Sequence, residues 1–222
     1  MSIIKAIEAL RNGQFVMIHD SKSREDEVDM VIAAKYTKPE DISKMRMEAG
    51  GLICISISNE IASALDLPYM HDVLQILNNK TISKMILSSA PYGDKPSFSI
   101  SINHIDTFTG ITDIDRSTTI RMMHEICTKE NSKELFIKNF RTPGHIPLLI
   151  AARNLLKERL GHTELSVELM NLSSLFPIAV ICEMLDANTH KSLDVDKAKK
   201  YSSKFNIPLV EARDIISYRG KL

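Results

Sequence analysis

Ile3, Ile7 and Leu10 recur at helical spacing and predict an amphipathic helix over 2–12, which Gly13 ends. A short apolar strand over 15–18 follows, then a polar, charge-dense loop over 19–29, then an apolar run over 30–34. Thr37 and Pro39 open a helix that stops at Gly50-Gly51, with proline at a first-turn position, and 52–58 reads as a strand. Residues 70–95 carry no clear period and read as an excursion or lid-like connection. The stretch 97–103 alternates strictly, the period of a strand with one buried face. Helical patterns cover 113–128, 132–139, 147–159 and 163–176, the last with a core-facing stripe of Leu165, Leu169, Leu172 and Phe176. A buried strand over 178–185, a helix over 194–205, a short strand near Leu209 and a final helix complete the chain. Strands and helices interleave without a repeat or linker, which predicts one mixed α/β domain over 1–222.

Composition narrows the classes. Apolar residues make up 44% of 222, enough for a sizeable core. The 28 basic and 28 acidic residues balance, which argues against a nucleic-acid or membrane-surface protein. Cys54, Cys127 and Cys182 are odd in number and dispersed, so neither a disulfide framework nor a structural zinc site is expected, and a cytoplasmic location is. No stretch has the length of apolar sequence a membrane span needs.

Five segments hold candidate chemistry. The loop 20–29, if extended, places Glu25, Glu27 and Asp29 on one side. Carboxylates so close repel unless a cation or arginine sits among them, and hard oxygen ligands suit magnesium or manganese; the other reading is a solvated connection. In Arg141-Thr142-Pro143-Gly144-His145, proline and glycine predict a turn that presents either a functional imidazole or a surface one. Around Arg159-Leu160-Gly161-His162-Thr163-Glu164 one helix is expected to end near Gly161 and another to begin at Thr163. That junction can aim backbone N–H groups at an anion, with Arg159 beside them, or be plain capping. His162 can complete a metal site with a carboxylate of the first loop. Glu183 interrupts a buried apolar strand and needs either an ion-pair partner or a role as a base. The hydroxyls and glycine of 106–116, Thr109 among them, can cradle a phosphate or a sugar, or cap the next helix. Cys54 reads as a small core residue.

Taken in order, Arg24-Glu25-x-Glu27-x-Asp29, Gly50-Gly51-Leu52-Ile53-Cys54, Thr107-Phe108-Thr109-Gly110-Ile111 with Asp115-Arg116, Pro143-Gly144-His145, Gly161-His162-Thr163-Glu164 and Ile181-Cys182-Glu183 resemble 3,4-dihydroxy-2-butanone 4-phosphate synthase of riboflavin biosynthesis, in its short archaeal form. The resemblance implies an α+β, three-layer fold with a central mixed sheet flanked by helices. It implies a lyase that converts ribulose 5-phosphate to the four-carbon ketone phosphate and formate, with two Mg2+ ions per active site and Mn2+ as a possible substitute. Glu25 and His162 would be the metal ligands. Arg24, Glu25, Asp29, Cys54, Thr109, Arg159, Leu160, Gly161, His162, Thr163 and Glu183 would face the substrate, its phosphate near 159–163. His145 and Glu183 would carry the proton transfers, and Glu27 would support the loop. A homodimer with shared active sites is implied, His145 coming from the same or the neighbouring protomer. Asp26 and Val28 stand where many bacterial relatives have asparagine and glycine in a loop, and Thr142 replaces an arginine common elsewhere before Pro-Gly-His. The alternative is a non-catalytic, sugar-phosphate-binding regulatory dimer of the same fold.

Overall fold

A mixed sheet with helices on both faces organises the chain, of which a computed structural model describes residues 2–86 and 89–221. Helix α1 (Ser2–Arg11) leads into β1 (Val16–His19) and β2 (Val28–Ala33). Helix α2 (Pro39–Lys44) runs into one π turn (Met45–Ala49) before β3 (Cys54–Ile57). Three short helices follow, α3 (Asn59–Ala64), α4 (Met70–Ile76) and α5 (Lys80–Met85). Then come β4 (Phe98–His104), α6 (Asp113–Cys127), α7 (Ser132–Asn139), β5 (Phe140–Ile150) and α8 (His162–Leu172). Strand β6 (Ile178–Glu183), the hairpin β7 (Leu185–Asp186) and β8 (Lys191–Ser192), α9 (Val195–Phe205), β9 (Leu209–Glu211) and α10 (Ala212–Arg219) end the chain.

The strand order is β4-β5-β3-β6-β2-β1-β9, with β3–β5 and β1–β9 parallel and the other pairs antiparallel. Two cores follow from the period of two. Met17, Met30, Ile32, Ile55, Val180 and Cys182 face one core, closed by residues of α2, α6 and α7. Val16, Ile18, Val31, Cys54, Ala179 and Ile181 face the other, closed by α1, α8 and α10. Helix α8 is buried from His162 to Met170, polar positions included: Ser166 bonds Ser56 at 2.8 Å and Glu168 pairs with Arg219 at 3.1 Å.

Several expectations need correction. No helix forms over 147–159; the stretch gives the end of β5, a bend and one 3-10 turn at Leu155–Lys157. Leu148 and Ile150 enter one core and Leu149 the other, so a strand buried on both sides leaves an apolar run with no period to read. Residues 141–145 are no turn between elements but part of β5. Asn103 faces Arg141 while Ile102 faces Ile146, so 142–145 bulge out of the ladder. Val28 and Asp29 belong to β2 rather than to the loop, so Val28, fully buried, constrains a strand. Helix α8 starts at His162 behind Gly161, not at Thr163. It stops at Leu172, and Phe176 packs against the opposite core. In β4, Ile100 and Ile102 pack inward as expected, but Phe98 is 40% exposed and Ser99 is buried. The 70–95 connection carries α4 and α5, with 87 and 88 outside the described residues.

Leu169, fully buried on α8, tests this layering. Leu169→Ala should lower unfolding free energy by about 3 kcal/mol in urea titrations, against less than about 0.5 kcal/mol for Ile76→Ala on exposed α4. Equal effects would contradict the buried place of α8.

Candidate active site

The loop between β1 and β2 takes its shape from one buried carboxylate. Asp20, 3% exposed, accepts the backbone N–H groups of Glu25 (3.0 Å) and Glu27 (3.1 Å) and an Arg24 Nη1 hydrogen at 3.2 Å. Arg24 also reaches Glu25 at 2.7 Å through Nη1 and donates from Nε to Asp94 at 2.8 Å. The Tyr92 ring stacks 4.8 Å from its guanidinium. Glu25 Oε2 then meets Nδ1 of His162 at 3.2 Å. The other ring nitrogen of His162 lies 3.2 Å from the Glu27 carbonyl and 3.8 Å from Asp29 Oδ1.

Sheet register supplies the remaining acids. Asp29 of β2 is paired directly with Glu183 of β6, so both carboxylates leave the same face of the sheet, the one that α8 covers. Glu183 accepts the Leu52 N–H at 2.7 Å, a hydrogen bond rather than the ion pair that was one of its two expected roles. Gly51 makes this possible, since a Cβ there would lie 2.4 Å from Glu183 Oε2 and 2.5 Å from its carbonyl oxygen.

These groups surround a cavity of about 220 Å³ whose walls include Arg24, Glu25, Asp29, Cys54, His162 and Glu183. Burial pushes Asp29 up to about 7; His162 offsets part of that, while Glu183, Glu25 and Glu27 add to it. Burial works against the charge of His162, but Asp29, Glu25 and Asp20 outweigh it and lift the ring to about 9. For Glu25 burial is likewise overruled, here by the His162 hydrogen bond and Arg24, leaving it at about 2. Burial and the neighbouring Glu183 push the Cys54 thiol well up, which leaves it a small apolar wall.

A divalent cation fits this set. Asp20, Glu25 and His162 each turn a ligand atom to within 4.8 Å of the others, and among the described residues Asp29 Oδ1 is buried without a hydrogen-bond partner. Carboxylate oxygens with one imidazole suit a hard ion. An anion fits beside it, at the start of α8. Among the described residues Arg24 Nη2 and Arg159 Nε are buried without a hydrogen-bond partner, the latter 3.6 Å from Asp94 Oδ2, and a Cβ on Gly161 would lie 2.1 Å from Arg159 Nη1 and 2.9 Å from Arg24 Nη2. Glycine there lets both guanidiniums approach the N–H groups of a helix terminus. Arg159 is held from behind by Glu164.

The structure thus brings Arg24, Glu25, Glu27, Asp29, Cys54, Arg159, His162, Thr163 and Glu183 to one cavity, with Gly161 at its edge. Leu160 is 43% exposed and lies outside the lining. Thr109 and His145 also lie outside it: Thr109 bonds Asp115 at 3.3 Å, and exposed His145 leaves β5 on the bulge. Sequence reading passed over Asp20, Tyr92 and Asp94. The first had a signal, an aspartate at the end of a strand with N–H groups downstream to collect.

Residues 4–218 match the family model described as 3,4-dihydroxy-2-butanone 4-phosphate synthase. A protein of that name from Archaeoglobus fulgidus is 41% identical over 222 residues, covering 98% of this chain and 93% of the relative. Another, from Methanothermobacter thermautotrophicus, is 41% identical over 216 residues, 96% of this chain and 94% of the relative. A crystal structure of such a synthase in complex with two magnesium ions superposes with TM-score 0.81 at 29% identity, covering 99% of this chain and 96% of that one.

The charge network has a pH signature. Because the folded value of His162, about 9, lies above its unfolded value of about 6.5, its stabilisation is full below pH ~6.5 and is lost as pH rises through about 9. In chelator-treated protein the urea midpoint should fall across that window, and His162→Gln should flatten the fall. Parallel curves for both proteins would remove His162 as its source.

Proposed function

The chain belongs to the 3,4-dihydroxy-2-butanone 4-phosphate synthase family, whose members convert ribulose 5-phosphate to that product in riboflavin biosynthesis, and from this premise we propose how its own residues do the work. The carrying observation is the cavity in which Glu25 and His162 meet beside Asp29 and Glu183. Glu25 and His162, with Asp20 adjoining, would hold Mg2+, two ions per active site, and the hard donor set would accept Mn2+ as well; a related synthase is known in complex with two magnesium ions. When bound, the ions polarise the substrate ketone and acidify the groups next to it. Arg24, Arg159 and the Gly161–Thr163 turn hold the phosphate, and Asp29 orients the sugar hydroxyls.

The products together contain every atom of the substrate, so the reaction needs proton carriers and no electron acceptor. Glu183, aimed by the Leu52 N–H, takes and returns protons in the cavity. Asp29, held near neutrality at about 7, can assist in either direction. Cys54 and the surrounding strands keep water away. His145 and Thr109 stand outside this cavity, and Phe108, 93% exposed, and Ile114, 66% exposed, lie on the connection and helix next to Thr109. We read this surface as the contact of a cytoplasmic homodimer in which His145 completes the neighbour's site. A non-catalytic sugar-phosphate-binding dimer would have no use for Glu183 and Glu25 so arranged.

Purified protein given ribulose 5-phosphate should release formate with magnesium and none with excess chelator; no formate in either condition would favour the binding protein. Glu183→Gln and His145→Ala should each lower kcat roughly 100-fold with the fold intact. Mixing these two inactive variants after dissociation should restore about a quarter of the activity if protomers share sites. No recovery would place His145 in its own protomer's site.

A further inference from the structure

Asn103 is 3% exposed on β4, where the bulge of β5 leaves the ladder. Its Oδ1 accepts the backbone N–H of His145 at 2.8 Å. A backbone N–H can only donate, so this bond fixes which end of the amide is oxygen. The other end, Nδ2, lies 3.0 Å from Nδ1 of His145. An amide nitrogen donates and never accepts, so Nδ1 is the acceptor and the neutral ring carries its one proton on Nε2. A doubly protonated ring would set an N–H against the amide hydrogens.

The clamp has no slack. Gly110, at φ +93°, packs on the amide so closely that a Cβ would lie 2.1 Å from Asn103 Nδ2. Gly144, next to His145, leaves room for the strand: a Cβ there would lie 2.0 Å from the Ile102 carbonyl carbon and 2.4 Å from Asn103 N. Its N–H bonds Ser101 Oγ at 3.2 Å. An otherwise exposed imidazole is thereby held in one orientation by a buried amide that cannot turn.

We infer that Asn103 is a positioning residue that keeps the imidazole proton of His145 on Nε2, so that His145 serves the reaction as a hydrogen-bond donor to a substrate oxygen and leaves net proton removal to Glu183. This rests on the place of His145 in the reaction proposed above. A neutral N–H aimed where negative charge gathers lowers the barrier without a proton leaving the ring, as an oxyanion-hole donor does.

The test uses full-length protein labelled with ¹⁵N-histidine and loaded with magnesium, the His145 signals being assigned from the spectrum of His145→Gln. Long-range ¹H–¹⁵N spectra should show a bare Nδ1 and a protonated Nε2. Asn103→Asp offers oxygen to both the backbone N–H and the ring, so the proton should move to Nδ1, with kcat falling roughly 100-fold and KM for ribulose 5-phosphate little changed. An Nδ1–H ring in the unsubstituted protein would overturn the assignment, and that result does not depend on Asn103→Asp folding. A reversed tautomer in Asn103→Asp with undiminished kcat would overturn the donor role. An Nε2–H ring in a protein that releases no formate would sustain the tautomer and sink the proposed reaction instead.

Discussion

Packing several carboxylates around one small cavity is the constraint that shapes this molecule. Left alone, Asp20, Glu25, Glu27, Asp29 and Glu183 would repel one another, and burial would raise the cost. Two cations answer them and meet at Glu25 Oε2: Arg24, within the loop, and His162, presented by α8. His162 gains its charge from the acids it serves, and Glu25 keeps its charge because of His162. Asp29 is left only partly compensated, its Oδ1 3.8 Å from His162 and without a hydrogen bond among the described residues. Residual acidity of this kind favours a divalent ion, so stability and metal affinity draw on the same groups.

The fold delivers these groups by ordinary means. Antiparallel pairing of β2 with β6 sets Asp29 beside Glu183, and the alternation that sorts Val31 and Ile181 into the α8 core carries the two acids to the same face. Helix α8, enclosed on every side over its first turns, gives His162 a rigid base. The loop, by contrast, has little apolar content to hold it and depends on Asp20 collecting its N–H groups. One half of the site is thus fixed by packing and the other by hydrogen bonds.

Much of this was legible in the chain because solvent marks one side of most elements. Helices α1, α6, α7 and α9 and strands β1, β3 and β6 lie close to where their periods put them. The end of β5 over 147–150 packs into both cores and carries no such mark, so its apolar run reads as the start of a helix. At the site, Glu183 stands out as a charge in an apolar run, Glu25 as one of a crowd of carboxylates and His162 as an imidazole at a helix junction. Asp94 did not, because its meaning comes from Arg24, 70 residues away, across a connection with no period. Asn103 looked like one polar position of an alternating strand, and only the bulge of β5 brings His145 against it.

The pairing of Asp29 with Glu183 has a further consequence. A slip of β2 by a single residue would send Asp29 into the far core and Val28 and Met30 toward the cavity, so a misaligned sheet would carry a buried charge as well as a broken site. Errors in assembly and errors in chemistry therefore coincide. A single misplaced register would cost the chain its stability and its site at the same stroke.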